Sequence, residues 1–234
     1  MSNLAALRQL LEQRYPDAAP LTRGVAVVPT GIAPLDAILP GGGLPRGKLI
    51  AWHSEGGAAA VLRAACRAVV AAGERAAWID GAGVLSLTPG AIRGALILRP
   101  AGPLEALQSA EVLLRSGGLT LVVLAEAEPE GAAALRLTRA AREGGAALVT
   151  LARHVAVAGL RISSRLLTQS YQWTIGPFGD PAIPQEVLLE IRIRTLGGNT
   201  RTTIALPVLP YELRLSPDSE RADRRGAGRR VRRA

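Results

Sequence analysis

The sequence predicts an α/β fold of three layers, with a mostly parallel central sheet extended at one edge by antiparallel strands. Two patterns carry this prediction. Between residues 49 and 151, apolar runs at 49–52, 76–80, 95–98, 119–124 and 146–151 alternate with helical stretches at 58–72, 103–116 and 131–143. The runs are apolar throughout, as strands covered on both faces require. After Gly159 the rhythm changes, and residues 169–176, 186–195 and 200–206 read as strands. The last two flank Leu196-Gly197-Gly198-Asn199, a hairpin signal. Val187, Leu189, Ile191 and Ile193 alternate with Leu188, Glu190, Arg192 and Arg194, so one face is buried and the other largely charged.

The remaining segments are appendages to this core. Residues 3–14 form an amphipathic helix with Leu4, Leu7, Leu10 and Leu11 on one stripe, capped by Asn3 and stopped by Pro16. A Pro/Ala linker closes an N-terminal unit over residues 1–20. A short strand at 25–28 and a Gly/Pro-rich loop at 29–47 lead into a core that spans 21–215. Residues 216–234 form an arginine-rich tail that is disordered by composition.

Composition narrows the class. With 234 residues, 48% apolar and 20% charged, the chain suits one soluble domain. It has no apolar window long enough for a membrane span and no signal-peptide layout, so cytoplasmic, nucleoid-associated residence is expected. The single cysteine, Cys66, excludes an internal disulfide and reads as a buried structural thiol. Of the net charge of +9, the last fourteen residues carry +6 through seven arginines and one aspartate. Arg224, Arg225, Arg229, Arg230, Arg232 and Arg233 therefore suit a polyanion such as DNA, or serve only to solubilise.

The turn after the first core strand, His53-Ser54-Glu55-Gly56-Gly57-Ala58-Ala59-Ala60, occupies the place of a phosphate-binding loop. Such a loop needs G-x-x-x-x-G-K-[ST], in which glycine amides wrap phosphate, lysine neutralises charge and the hydroxyl holds magnesium. In that register the glycines fall on His53 and Ala58, the lysine on Ala59 and the hydroxyl on Ala60. Gly56 and Gly57 can make the turn but supply no charge, and Ala59 and Ala60 are expected to bury against the sheet. Of the acidic residues at strand ends, Asp80 follows the second core strand, while Glu126 and Glu128 belong to a polar loop. The residues call for no metal or cofactor, and ATP hydrolysis is not expected.

The run VPTGIAPLDAILPGGGLPRGKLIAWHSEGG resembles the start of the bacterial RecA recombinase core. The likeness rests on Thr30-Gly31, Leu35-Asp36, Gly42-Gly43-Leu44-Pro45 and Gly47, and its register continues over about residues 25–155. In that register RecA's ATP-binding lysine and hydroxyl fall on Ala59 and Ala60, and its water-activating glutamate falls on Ala82. The long DNA-binding loop after the fifth strand is reduced to something like VAVAGLRISS. With its basic tail, this pattern is similar to the ImuA family.

The resemblance implies a pseudo-ATPase adaptor in DNA-damage-induced (SOS) mutagenesis and translesion synthesis. Its partner would be an ImuB-like inactive Y-family polymerase, with an error-prone C-family polymerase engaged indirectly. A SulA-type cell-division inhibitor binding FtsZ, a structural DNA-repair subunit without DNA contact and an unorthodox ATPase are the alternatives. RecA protomers join by an N-terminal helix and strand docking on an open sheet edge. Here the receiving elements would be Leu96, Ile97 and Leu98 with Leu104, Leu107, Val112, Leu113 and Leu114 on the following helix, unless these serve core packing alone. On this reading a charged residue at Leu107 or Ile97 abolishes the complex and leaves the monomer folded. The N-terminal helix packs on its own core or on a second copy. Arg192, Arg194 and Arg201 form either a basic face or solvated strand charges, and Arg153 and His154 follow the fifth strand.

Overall fold

The computed structural model describes residues 26–81, 92–125, 127–152, 155–195 and 198–208. A front segment holds β1 (Val27–Val28), helical turn α1 (Ala33–Asp36), a 3₁₀ turn (Pro40–Gly42) and β2 (Leu44–Pro45). The core follows as β3 (Leu49–Glu55), α2 (Ala58–Ala71), β4 (Ala76–Asp80), β5 (Leu96–Leu98), α3 (Pro103–Arg115), β6 (Leu121–Ala125), α4 (Gly131–Gly144) and β7 (Ala147–Leu151). The extension is β8 (Leu160–Ile175), β9 (Pro181–Thr195) and β10 (Gly198–Pro207). The main sheet has the order β10-β9-β8-β3-β7-β6-β4-β5. Strands β3 to β7 run parallel, β8 is parallel to β3 and antiparallel to β9, and β10 is antiparallel to β9.

The expected class and the five core strands and three helices are all present, with ends moved by up to three residues. One expectation is overturned. Residues 160–164, read as part of a reduced loop, begin β8 and pair with β3 from Ile50↔Leu160 to Glu55↔Arg165. The reason is a period of two: Leu160, Ile162 and Ser164 are buried, while Arg161 and Arg165 are exposed. Beyond Leu167↔Leu188 the β8–β9 register is irregular, and the two strands continue as a ribbon past the ends of β3 and β10. The N-terminal helix, the linker and the arginine tail lie outside the described residues.

Each sheet face has its own core. On one, Val61, Leu62, Ala65, Cys66 and Val69 of α2 meet Trp52, Trp78, Val123, Val149, Leu189, Ile191 and Ile193. On the other, Ala106, Ala110 and Leu114 of α3 and Ala134, Leu137, Ala140 and Ala141 of α4 cover Leu49, Ala77, Ile79, Val122, Leu124 and Leu148. Alanine on the inner helix stripes lets the helices lie close to the large strand residues. Trp78 Nε1 is buried and finds no acceptor among the described residues. No described helix is long and apolar enough to cross a membrane.

The front segment is clamped by its own polar residues. The Thr30 amide and hydroxyl both donate to Asp36 Oδ1, at 2.9 and 2.8 Å, and the Thr30 hydroxyl accepts from the Ile32 amide at 3.2 Å. This seats Leu35, Leu39 and Leu44 in the α2-side core. A side chain at Gly43 would strike the Val28 carbonyl, with Cβ at 2.6 Å, so glycine is required where β2 passes β1. The Gly47 amide donates to the Ala146 carbonyl at 2.8 Å and ties the segment to the start of β7. Thr30→Val keeps the shape of this fully buried residue but removes both hydroxyl bonds, and should cost about 1–3 kcal/mol in urea unfolding. An unchanged midpoint would show that the clamp carries no stability.

Candidate functional site

The turn between β3 and α2 is built for packing. Gly56 and Gly57 both have positive φ, 101° and 78°, and Gly57 caps α2 from the left-handed region. A Cβ at position 56 would come within 2.7 Å of Leu166 Cδ1, and one at position 57 within 2.5 Å of Leu189 Cδ1. Leu206 Cδ1 stands 3.2 Å from the latter point, so leucines of β8, β9 and β10 all close on the two glycines. The polar groups of the turn are also engaged. Trp52 Nε1 donates to Ser164 Oγ at 3.0 Å, and that hydroxyl donates to the Gly56 carbonyl at 3.1 Å. The Gly56 amide donates to Ser54 Oγ at 3.2 Å.

The charges around the turn are of both signs, with Glu55 across the sheet from Arg165. The first turn of α2 is Ala58, Ala59 and Ala60, and the Ala60 and Val61 amides turn back to the Gly57 carbonyl. Ala58 is buried, and Ala59 is half-buried and packed against the α2-side core as expected, whereas Ala60 is half-buried without joining that core. Glu55 places a carboxylate beside the turn, with Oε1 3.7 Å from His53 Nε2. Asp80 is buried at the end of β4 with Oδ2 3.6 Å from Arg99 Nε, an ion pair that ties the segment after β5 to the sheet. Ala82, Glu126, Arg153 and His154 lie outside the described residues. Among the described residues no group of three His, Cys, Asp or Glu gathers for a metal.

The expected partner surface divides. Among the described residues β5 forms the sheet edge, with Leu96, Ile97 and Leu98 paired to Ala77, Trp78 and Ile79. Leu96, Leu104 and Val112 are exposed, by 48%, 67% and 69%, enough to offer an apolar ridge. Leu114 is fully buried, so it belongs to the core and not to a docking face. Its position in the last turn of α3 points at the strands. Leu98, Leu107 and Leu113 are partly buried against the same core. A charge at Leu107 would therefore disturb the fold as well as any partner, contrary to the expectation of an intact monomer.

A second region was legible only in part, through Arg192, Arg194 and Arg201. Beside β3 an open cleft of about 510 Å³ is lined by Ala51, His53, Val155, Arg161, Ser163 and Arg194, among others. A smaller one of about 200 Å³ adjoins it across His53 and Ser163, and includes Glu55, Arg165, Glu190 and Arg192. The outward residues of β8 and β9 signal this region, once β8 is known to begin at Leu160. The tail arginines Arg224, Arg225, Arg229, Arg230, Arg232 and Arg233 lie outside the described residues.

The parallel core, the strand-to-helix turn after β3 and the antiparallel extension together define a RecA-like α/β fold. The chain is 28% identical to the RecA protein of Mycobacterium tuberculosis over 209 residues, which cover 85% of this chain and 24% of that protein. It has the same 28% identity to Mycobacterium marinum RecA, covering 56% of that protein, and is 37% identical to Mycolicibacterium gilvum RecA over 108 residues, 43% of this chain. The chain thus spans about a quarter of the length of the first of these curated relatives. No protein-family model matches the chain. The relationship supported is a distant one to RecA.

Two measurements check the geometry. Leu114→Ala should cost about 2–5 kcal/mol and Leu104→Ala should fall within about 0.5 kcal/mol of wild type in urea titrations; equal costs would contradict the assignment. Burial pushes the Cys66 thiol up to about 12, with Arg67 pulling weakly the other way. Native protein at pH 8 should resist alkylation and react only on denaturation. With the folded value above the ordinary one, stability falls as pH rises from about 9 towards 12.

Proposed function

We propose that the chain acts as a non-catalytic RecA-like adaptor in DNA-damage-induced mutagenesis, of the ImuA type. Its partner would be an ImuB-like inactive Y-family polymerase, which in turn engages an error-prone C-family polymerase. The observation that carries this reading is the filled turn after β3. Its two glycines are explained by Leu166, Leu189 and Leu206, and the charge beside it is mixed, with the carboxylate of Glu55 across the sheet from Arg165. A turn whose glycines are closed over by leucines and whose helix start carries only alanine supports a scaffold role over ATP hydrolysis. The edge of β5 and the exposed Leu96, Leu104 and Val112 support docking of a partner segment by strand addition. The arginine tail would add sequence-independent DNA affinity, and the N-terminal helix would pack in cis or join a second copy.

Magnesium ATP at millimolar concentration should leave the melting temperature unchanged, and Ala59→Lys alone should not create ATPase activity. A concentration-dependent rise in melting temperature would return the turn to the nucleotide-binding class. For the partner surface, Leu104→Glu with Val112→Glu should abolish co-purification with the Y-family-like product of a neighbouring gene while circular dichroism stays unchanged. A complex that survives both changes places the partner elsewhere, and capture of FtsZ instead would favour the cell-division reading.

A further inference from the structure

The ribbon that β8 and β9 form past the ends of β3 and β10 leaves a group of large apolar side chains uncovered. Ile175 is 70% and Phe178 94% exposed, and Trp173 and Ile183 are nearly half exposed beside them. Scattered apolar residues on a surface need no explanation, but a contiguous group marks an interaction site. The tip that carries them is firmly built. The Gly176 amide donates to the Asp180 carbonyl at 2.7 Å, and the Gly179 amide donates to the Gly176 carbonyl at 3.0 Å. Behind the tip, the Ile183 amide donates to Thr174 Oγ1 at 3.1 Å and the Thr174 hydroxyl donates to the Ile183 carbonyl at 3.3 Å. Pro181 and Pro184 remove two amide donors from β9, as in strands protected against edge pairing. Contact with this ribbon is therefore made by side chains, with exposed Phe178 and Asp180 foremost.

The same two strands carry a complementary surface at their other end. The cleft of about 510 Å³ is lined by apolar Ala51, Ala152, Val155 and Ile162 and by cationic Arg161 and Arg194. An aromatic ring needs on the order of 150 Å³, so a phenylalanine side chain has room there. Arg161 stands directly across from Arg194, a like-charged pair that destabilises a sheet in the absence of a counter-charge. Arg161 Nη2 donates to the Ala156 carbonyl at 3.0 Å, which holds its guanidinium at the rim. Glu190 serves Arg165 and Arg192, with Oε1 at 3.7 and 2.7 Å from their Nη2 atoms. Among the described residues Arg194 meets no carboxylate and Asp180 meets no cation. Residues 166–185, which hold the tip and the strands leading to it, carry Asp180 as their one charge, so two copies can lie side by side there without repulsion.

We propose that the cleft receives the ribbon tip of a second copy of this chain. Two ribbons lie antiparallel about a two-fold axis, and each tip places Phe178 on the apolar floor and the Asp180 carboxylate between Arg161 and Arg194 of the other copy. The exchange is reciprocal, so the assembly closes at two copies. Aromatic side chains bury about 150–250 Å² each. Phe178 with the exposed parts of Trp173, Ile175 and Ile183 thus brings two copies to roughly 1,000 Å², the least that a stable interface needs. This surface is separate from the β5 edge and from the N-terminal helix. The proposal goes beyond the adaptor reading and stands or falls independently of it, because its test involves no polymerase partner.

Sedimentation of the nuclease-treated, full-length protein over a range of concentrations tests this arrangement. The mass should rise from one copy to two and stop there. Phe178→Ala should weaken the dimer by about tenfold or more, as loss of a buried aromatic anchor does. Asp180→Arg and Arg194→Asp should each weaken it by about tenfold or more with circular dichroism unchanged. An equimolar mixture of those two variants should associate more tightly than either alone, because every tip then meets an opposite charge in the other chain. Leu104→Glu with Val112→Glu, on the β5 side, should leave the dimer intact. A single copy at every concentration overturns the proposal, as do charge variants that dimerise like wild type or a mixture that gains nothing. Growth beyond two copies overturns the two-fold exchange, and loss of the dimer in the Leu104 and Val112 variant overturns the proposal by placing self-association at the β5 edge.

Discussion

The structure depends on one contact: the antiparallel extension closing its leucines over the turn between β3 and α2. β8 lies beside β3 in parallel register, which brings Leu166 against Gly56 and places Ser164 between Trp52 and the turn carbonyl. β9 and β10 then supply Leu189 and Leu206 against Gly57. A side chain at either glycine would collide with these leucines, so the turn, the start of α2 and the extension are mutually fixed. The turn thus joins the parallel core to the antiparallel extension.

The front segment follows the same logic. Thr30, Gly31, Leu35, Asp36, Gly43 and Gly47 carry the likeness to RecA, and most of these positions have a local mechanical role. Thr30 and Asp36 bond to one another, Leu35 fills the core, Gly43 passes the Val28 carbonyl and Gly47 bonds to Ala146. What a motif of this kind maintains is the fold. Similarity concentrated in such positions speaks to architecture and only indirectly to chemistry.

Legibility in the sequence followed burial. The five core strands were readable because strands covered on both faces are apolar at every position, and the helices because alanine and leucine recur on one stripe. The start of β8 was not, since Leu160-Arg161-Ile162-Ser163-Ser164-Arg165 mixes apolar and charged residues in a stretch that the RecA register assigns to a loop. Its alternation was the available signal. The partner ridge was half readable. An apolar helix such as α3 shows more leucine than one face needs, but only coordinates separate exposed Leu104 from buried Leu114. The arginine pairs were hidden for a related reason: Arg161 and Arg194 are far apart along the chain, and only strand register sets them opposite one another.

The two faces of the extension divide two tasks. One face spends its leucines and isoleucines on α2 and the turn. The other has no described helix over it and gathers arginine instead. Losing helical cover would ordinarily expose a sheet to edge and face association, which charged side chains suppress. That need is met by mixed charge, as at Arg165 and Glu190, and does not require like charges side by side. The clustering of Arg161, Arg194 and Arg201 therefore exceeds what that need asks for.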